Sequence, residues 1–502
     1  MKLLSGIATD VLFSIIAILL NIVSIPIYIN NLGLENYGLW IALSSLVALI
    51  GMIDFSADPH LMKMSSDDQI FLGKKWSRYV RKIVILKLIS ATVILIYIIC
   101  LCHTLTWFLD ININNVNDAK VVIMLCGISA ILGLVNGYFT SVLYARGAQV
   151  TVNLLNGLTA IATAFCGMVL VVLGFGIIGI AIGFLFSGAC TVIFAYLTFK
   201  KYDFNPTGEL GKNELNDPSY VEILKYLYNF QLLKMIFIMR VNGFPVILAS
   251  YISLEFSGYY SILSKIPQLV TAITLKINNP FFPFFSQLIS RSSFKDLTQG
   301  FYRLTCLQCF ISIFAFLGFL TFLPIFLPLW ANVKVESNSL LILVSVYFAL
   351  QIIFSPFYNV TFATGEYQKG QFFVLLEMLS LMAMMTLFIF VWAAEGAILA
   401  LLLSGLITQV YLTKCALNYL RLSVFTFLSK VFKKTVPFTL IPIIIFVYFL
   451  IKNPLNTHNN EWSNFLISVV VFAGLSILPI LVLIYKHGSA SKALEEKLNY
   501  EH

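Results

Sequence analysis

The chain has 502 residues, of which 59% are hydrophobic and only 11% charged, with a mean hydropathy of +0.91. A soluble domain carries about 25% charge, and no water-soluble fold could hide this much apolar surface, so a soluble enzyme is excluded. The formal net charge of +9 must then be explained by where basic residues fall along a membrane chain.

From the N-terminus, the apolar run Val11 to Ile29 is too long for a signal-peptide core and lacks a small-x-small cleavage site. It reads as a retained first span. Apolar windows bounded by polar or Gly/Pro breaks then predict about fourteen spans, near 9–29, 37–56, 83–108, 121–145, 153–173, 177–199, 227–251, 257–277, 304–329, 339–363, 372–393, 396–416, 435–451 and 463–485. The expected fold class is an all-α polytopic membrane protein.

If Met1 is cytoplasmic, loop 57–82 brings Lys63, Lys74, Lys75, Arg78, Arg81 and Lys82 to that side, and loop 418–434 brings Arg421, Lys430, Lys433 and Lys434. Of the 32 Lys and Arg residues, 24 then lie on the cytoplasmic side. Three lie outside (Lys120, Lys334, Lys452) and five within spans (Lys87, Lys234, Arg240, Lys265, Lys276). This is the distribution of a multi-pass membrane protein with both termini inside, and the expected location is a bacterial cytoplasmic (inner) membrane. The positive charge is mostly topology and calls for no nucleic-acid partner.

An internal repeat runs through the chain. Leu34-Glu35-Asn36-Tyr37-Gly38-Leu39-Trp40 returns as Leu254-Glu255-Phe256-Ser257-Gly258-Tyr259-Tyr260, an offset of 220 from position 38 to position 258. Ala145-Arg146-Gly147 is answered by Ala363-Thr364-Gly365 at 218, and Gly179 with Ser187-Gly188 by Gly396 with Ser404-Gly405 at 217. Spans 1–6 and 7–12 therefore read as two homologous halves. Six spans is an even number, so both halves enter the membrane in the same direction, the parallel-repeat arrangement of transporters whose bundles rock about a central site. The expected domains are a six-helix bundle at 1–200, a cytoplasmic linker at 201–226, a second bundle at 227–417, and two further spans with a cytoplasmic tail at 418–502.

Asn21, Pro26 and the run NLGLENYGLW, followed by an apolar helix ending in Asp54-Phe55-Ser56, resemble the first two helices of the Wzx-type polysaccharide (O-antigen) flippases. That family lies in the superfamily that also holds the multidrug-and-toxin (MATE) exporters and the lipid II flippase MurJ. Elsewhere the resemblance is architectural, and the arginine-rich first helix of lipid II flippases is missing. The resemblance implies a non-enzymatic flippase without cofactor or metal. Its substrate would be an undecaprenyl-pyrophosphate-linked oligosaccharide, and a polysaccharide polymerase and a chain-length regulator are the further partners it suggests. The alternatives are an ion-coupled MATE-type drug exporter and a membrane polysaccharide polymerase.

Ionisable side chains inside a span are costly and usually face a protein interior or wet cavity. Arg240 falls near the middle of span 7, six residues after Lys234, and Asn242, Gly243 and Pro245 follow as helix breakers. On span 8, stepping from Lys265 places Gln268 at about −60°, Lys276 at about +20° and Asn279 at about −40°, one polar stripe. Asp10, Ser14, Asn21 and Ser24 form another on span 1. Lys234, Arg240, Lys265 and Gln268 are thus candidates for a cationic cavity that attracts pyrophosphate, with Arg240 foremost because its guanidinium fork matches phosphate oxygens. Lys234 suits snorkelling to the interface equally well, and Lys276 suits it better than a place in the cavity. Glu377 on span 11 is either a proton-coupling group or the partner of a nearby cation. Asp54 and Arg146, at cytoplasmic span ends, are either gate residues or interfacial caps, and Asp10 joins them as a coupling or gating candidate.

Other signals carry little. Gly174-Phe175-Gly176-Ile177-Ile178-Gly179 matches G-x-G-x-x-G but joins two apolar spans, so a tight interhelical turn explains it better than a dinucleotide site. Cys306 and Cys309 suit apolar packing. The five histidines lack metal-ligand spacing. No P-loop is present, so energy must come from a gradient or a partner. The longest outside loops are about 11 residues, near ordinary connection length, too short to present the catalytic groups of a polymerase.

Overall fold

The computed structural model describes residues 2–52, 57–66, 76–201, 221, 223, 235, 238–278, 281–291, 293–364, 367–452, 462, 465, 468–470 and 472. Among them every regular element is helical, and eight helices are long and apolar enough to cross a membrane. The protein is an all-α polytopic membrane protein. The chain divides into two compact units, Met1–Ser261 and Ile262–His502, while most of the 201–226 linker lies outside the described residues.

In the first unit α1 (Lys2–Ala48) contains both spans 1 and 2, divided at Gly33, whose φ of 79° only glycine adopts freely. A 3₁₀ turn, Leu49–Met52, follows, and then the ten-residue helix α2 (Ala57–Ser66). Spans 3 to 6 are α3 (Trp76–Phe108), α4 (Val116–Ala145), α5 (Gln149–Val172) and α6 (Gly176–Lys201). Helices in lipid gain nothing hydrophobic by meeting and rely on small residues and hydroxyls, and α5 and α6 show how. Thr159 pairs with Thr191, Thr163 Oγ1 lies 2.5 Å from Ser187 Oγ, and a Cβ on Gly183 would meet Gly167 N at 2.8 Å. These three levels are spaced four residues apart on each helix. A π-helical turn at Met239–Gly243, α7 (Phe244–Tyr251) and α8 (Leu254–Leu263) complete the described part of this unit.

The second unit continues span 8 as α9 (Lys265–Asn278), then the ten-residue α10 (Phe281–Ser290), α11 (Phe294–Ala331) and α12 (Asn338–Ala363). Spans 11 and 12 form α13 (Tyr367–Tyr419), interrupted at Trp392 and Ala393, and α14 (Val424–Lys452) is span 13, eleven residues longer at its start than hydropathy alone predicts. Of span 14, residues 465, 468–470 and 472 are described, and they are helical. An aromatic core joins α10, α11, α12 and α14 through Phe285, Phe301, Phe357 and Phe427, and Cys306 and Cys309 pack there as small apolar groups. Along α11, Phe314, Phe322 and Phe326 meet Phe472, Phe465 and Trp462, so the last two spans pack tightly onto span 9.

The repeat is visible in the elements themselves. The break at Gly33 is answered by the break at Ile252 and Ser253. The start of α2 at 57 is answered by α10 at 281, an offset of 224. The start of α3 at 76 is answered by α11 at 294, an offset of 218. The G-x-G turn carries positive φ at Gly174 (91°) and Gly176 (59°). It is answered, 217 residues on from Gly176, by Ala393 at φ 43°.

Candidate functional site

Pro245 has no N–H to give the carbonyl four residues back, and the helix before it widens into the π turn Met239–Gly243 that carries Arg240. Such turns cluster at functional sites. Asn242 Nδ2 returns to the Ile238 carbonyl at 3.3 Å, and Ser257 Oγ donates to the Pro245 carbonyl at 2.9 Å. The half-buried Arg240 thus stands on a locally held distortion, which packs against α1 and the turn at Leu49–Met52.

Span 8 is broken at Ser264, and α9 beyond it has two polar faces. Lys265 is half-buried, while Gln268 and Lys276 are exposed, with Gln268 Nε2 donating to Ser264 Oγ at 3.0 Å. About 120° to 180° around the helix, Thr271, Thr274 and Asn278 are buried against the rest of the unit. Of the stripe read from sequence, Lys265, Gln268 and Lys276 therefore point away from the bundle core and Asn279 lies outside the described residues, while a second polar stripe holds the core together.

That second stripe ends in an amide cluster that sequence reading missed. Asn278 Nδ2 donates to Ser355, Gln308 Nε2 donates to Asn278 Oδ1 at 2.6 Å, and Asn359 Nδ2 donates to the Asn278 carbonyl at 3.1 Å. Its signal in the sequence is the coincidence of Asn278 before Asn279-Pro280 with a lone Gln308 in an apolar span. The first unit holds a charged counterpart, also unforeseen. Lys87 Nζ donates to Asp58 Oδ1 at 2.7 Å and to the Leu134 carbonyl at 2.9 Å.

The other candidates fall as follows. Glu377 is 5% exposed on α13, and its carbonyl accepts from Ser380 Oγ at 2.9 Å. Arg146 is half-buried and ends α4, its N–H returning to the Val142 carbonyl at 3.0 Å. Asp10 lies within α1. On the span 1 stripe, Asn21 Nδ2 returns to the Ala17 carbonyl at 2.9 Å and Ser24 Oγ to the Asn21 carbonyl at 3.0 Å, so both satisfy their own helix. Asp54 and Lys234 lie outside the described residues. Within the first unit the structure brings Arg240 near the end of span 2; Lys265, Gln268 and Glu377 belong to the second.

These features define a class: a polytopic helical protein with two six-span repeats and charged groups carried by broken helices. Solved structures with the same fold include the lipid II flippase MurJ in an inward closed conformation. It is 14% identical at a TM-score of 0.63, covering 95% of this chain and 99% of that one. An inward-facing MATE-family multidrug resistance transporter of the MOP superfamily is 16% identical at 0.60, covering 81% and 94%. A MATE structure in complex with MaL6 is 16% identical at 0.54, covering 84% and 94%. No family model matches the chain, and no curated protein matches it. The chain has the MurJ and MATE fold.

Proposed function

We propose that the protein is a flippase that carries an undecaprenyl-pyrophosphate-linked oligosaccharide, a repeat unit of a surface polysaccharide, from the cytoplasmic to the outer leaflet of a bacterial inner membrane. The observation that carries this reading is the charge of the polar face of span 8. Lys265 and Lys276, with Gln268 between them, point away from the core of their own bundle, and Arg240 stands on the π turn of span 7. These side chains favour an anionic ligand, and a pyrophosphate accepts hydrogen bonds from guanidinium and ammonium alike.

In this reading Lys234 adds to the cationic field, Glu377 couples transport to protons, Asp54, Arg146 and Asp10 serve gating, and both termini are cytoplasmic. The protein moves its substrate without transforming it. The MATE fold also suits an ion-coupled exporter of cationic drugs, but such a ligand calls for acidic rather than basic groups on these faces.

The test is complementation in a bacterium lacking its own O-antigen flippase, with Arg240→Ala beside the parent. Return of surface polysaccharide with the parent and its loss with a membrane-inserted Arg240→Ala supports the reading. Full activity of the variant removes Arg240 from it. Drug resistance without polysaccharide transfers the protein to the exporter class.

A further inference from the structure

The two repeats each place a ten-residue helix after their second span, α2 in the first and α10 in the second, and hold it in opposite ways. Helix α10 has the sequence FFPFFSQLIS. It buries Phe285 and Leu288 completely or nearly so, and packs Phe281 and Ile289 against the aromatic core of its unit. Helix α2 has the sequence ADPHLMKMSS. Its buried apolar anchor is Leu61, aided by Met64, against Tyr79, Ile83 and Val142; Met62 points outward. Among its described side chains, α2 buries one apolar residue where α10 buries two.

What α2 has instead is charge. Asp58, in its first turn, accepts from Lys87 Nζ on α3 at 2.7 Å, while the same ammonium donates to the Leu134 carbonyl of α4 at 2.9 Å. The Lys87 side chain is 11% exposed and that of Asp58 is 32% exposed. The carboxylate sits over Gly137, where any Cβ would collide with it. The equivalent place in the second repeat is neutral. Leu134 and Gly137 correspond, at an offset of 218, to Ile352 and Ser355, and there Ser355 Oγ donates to the Ile352 carbonyl at 2.7 Å inside the Asn278 amide cluster. A buried ion pair contributes little net stability against an apolar alternative, yet losing one partner leaves the other charge uncompensated. It therefore suits an element that must be either docked or released as a unit.

We propose that α2 is a charge-held latch on the first bundle, able to undock while the spans beneath it stay folded, and that α10 is its fixed counterpart. Undocking uncovers Tyr79, Ile83 and Val142. The proposal is independent of what the protein carries.

Ser65, fully buried on α2, reports the latch as Ser65→Cys, and Leu288→Cys reports α10, both in the full chain in lipid nanodiscs. Maleimide labelling of each position is read by peptide mass. Lys87→Met and Gly137→Ala remove the pair by different means, one by charge and one by space. Each is expected to speed labelling at position 65 roughly tenfold or more and leave position 288 protected, while Lys87→Arg keeps both protected. Unchanged labelling at 65 in either variant overturns the proposal. So does opening of 65 and 288 together, which would make the pair a support of the whole molecule.

Discussion

Gly38 and Gly258, the same position in the two copies of the L-E-x-x-G repeat, lie backbone against backbone. A Cβ on Gly258 would stand 3.0 Å from the nitrogen and Cα of Gly38 and 2.9 Å from the Leu34 carbonyl oxygen. One on Gly38 would collide with the Leu254 carbonyl. The arrangement is reciprocal: each glycine faces the carbonyl four residues before the other. Glycine allows this close approach, and the weak C–H to carbonyl hydrogen bonds that it permits recur at helix interfaces. Neighbouring Tyr37, Leu39, Tyr259 and Tyr260 are buried around it.

Gly38→Ala is therefore expected to destabilise by about 1 to 3 kcal/mol, the usual cost of overpacking, although alanine is the better helix former by about 1 kcal/mol. Gly51→Ala is the control. Its Cβ would meet the flexible tip of Ile238 at 2.9 Å, and the cost should stay under about 1 kcal/mol. Thermal unfolding of both variants in lipid checks the ranking. Equal midpoints would mean the two spans can part without loss.

Gly176 and Ala393 occupy equivalent turns, and both have positive φ, at 59° and 43°. Alanine at such a positive φ is strained by about 1 to 3 kcal/mol, glycine is not. Ala393→Gly should therefore raise stability by up to about 1 kcal/mol, and Gly176→Ala should lower it by a similar amount. The same unfolding measurement decides. A loss on Ala393→Gly would show that chain entropy outweighs the strain.

The parts of this fold that were legible in the sequence are those set by one-dimensional signals. Apolar length marked the spans, the Gly174–Gly176 pair marked a turn, and the L-E-x-x-G echo marked the repeat, whereas the break at Gly33 went unmarked. Asn242, Gly243 and Pro245 foretold a break, which the structure makes a π turn. What escaped depends on pairing between distant spans. Lys87 read as one more charge in a span, because nothing in sequence ties it to Asp58, 29 positions earlier. The Asn278 cluster escaped for the same reason. Stepping 100° per residue along α9 finds both polar stripes, but only the packing tells which of them is buried.

Asn278 is the hub through which spans 8, 9 and 10 are joined. It accepts from Gln308 at 2.6 Å and from Asn359 at 3.1 Å, and donates to Ser355. Asn278→Leu leaves the buried Gln308 amide without its acceptor, at about 1 to 3 kcal/mol. Gln308→Met removes the donor and its own buried oxygen together, which has no hydrogen-bond partner, and should cost less. Measured midpoints with Asn278→Leu above Gln308→Met would contradict the hub.

Glu377 is 5% exposed within a span whose neighbours are apolar, and an acid in that setting is either a proton carrier or one half of a charge pair. Glu377→Gln separates the two, because the amide keeps the size and a hydrogen-bonding oxygen but can neither ionise nor release a proton. As the coupling group, Glu377 should yield a variant that reaches the membrane normally, with stability changed by less than about 1 kcal/mol, and whose transport in proteoliposomes no longer responds to an imposed pH gradient. As a charge partner, it should yield the reverse. Removing it would strand a buried cation, at about 3 to 5 kcal/mol, while whatever transport survives in the remaining folded protein would follow the gradient as the parent does. Measuring the gradient response and the unfolding midpoint on the same preparation distinguishes the cases, since each role moves one quantity and leaves the other in place.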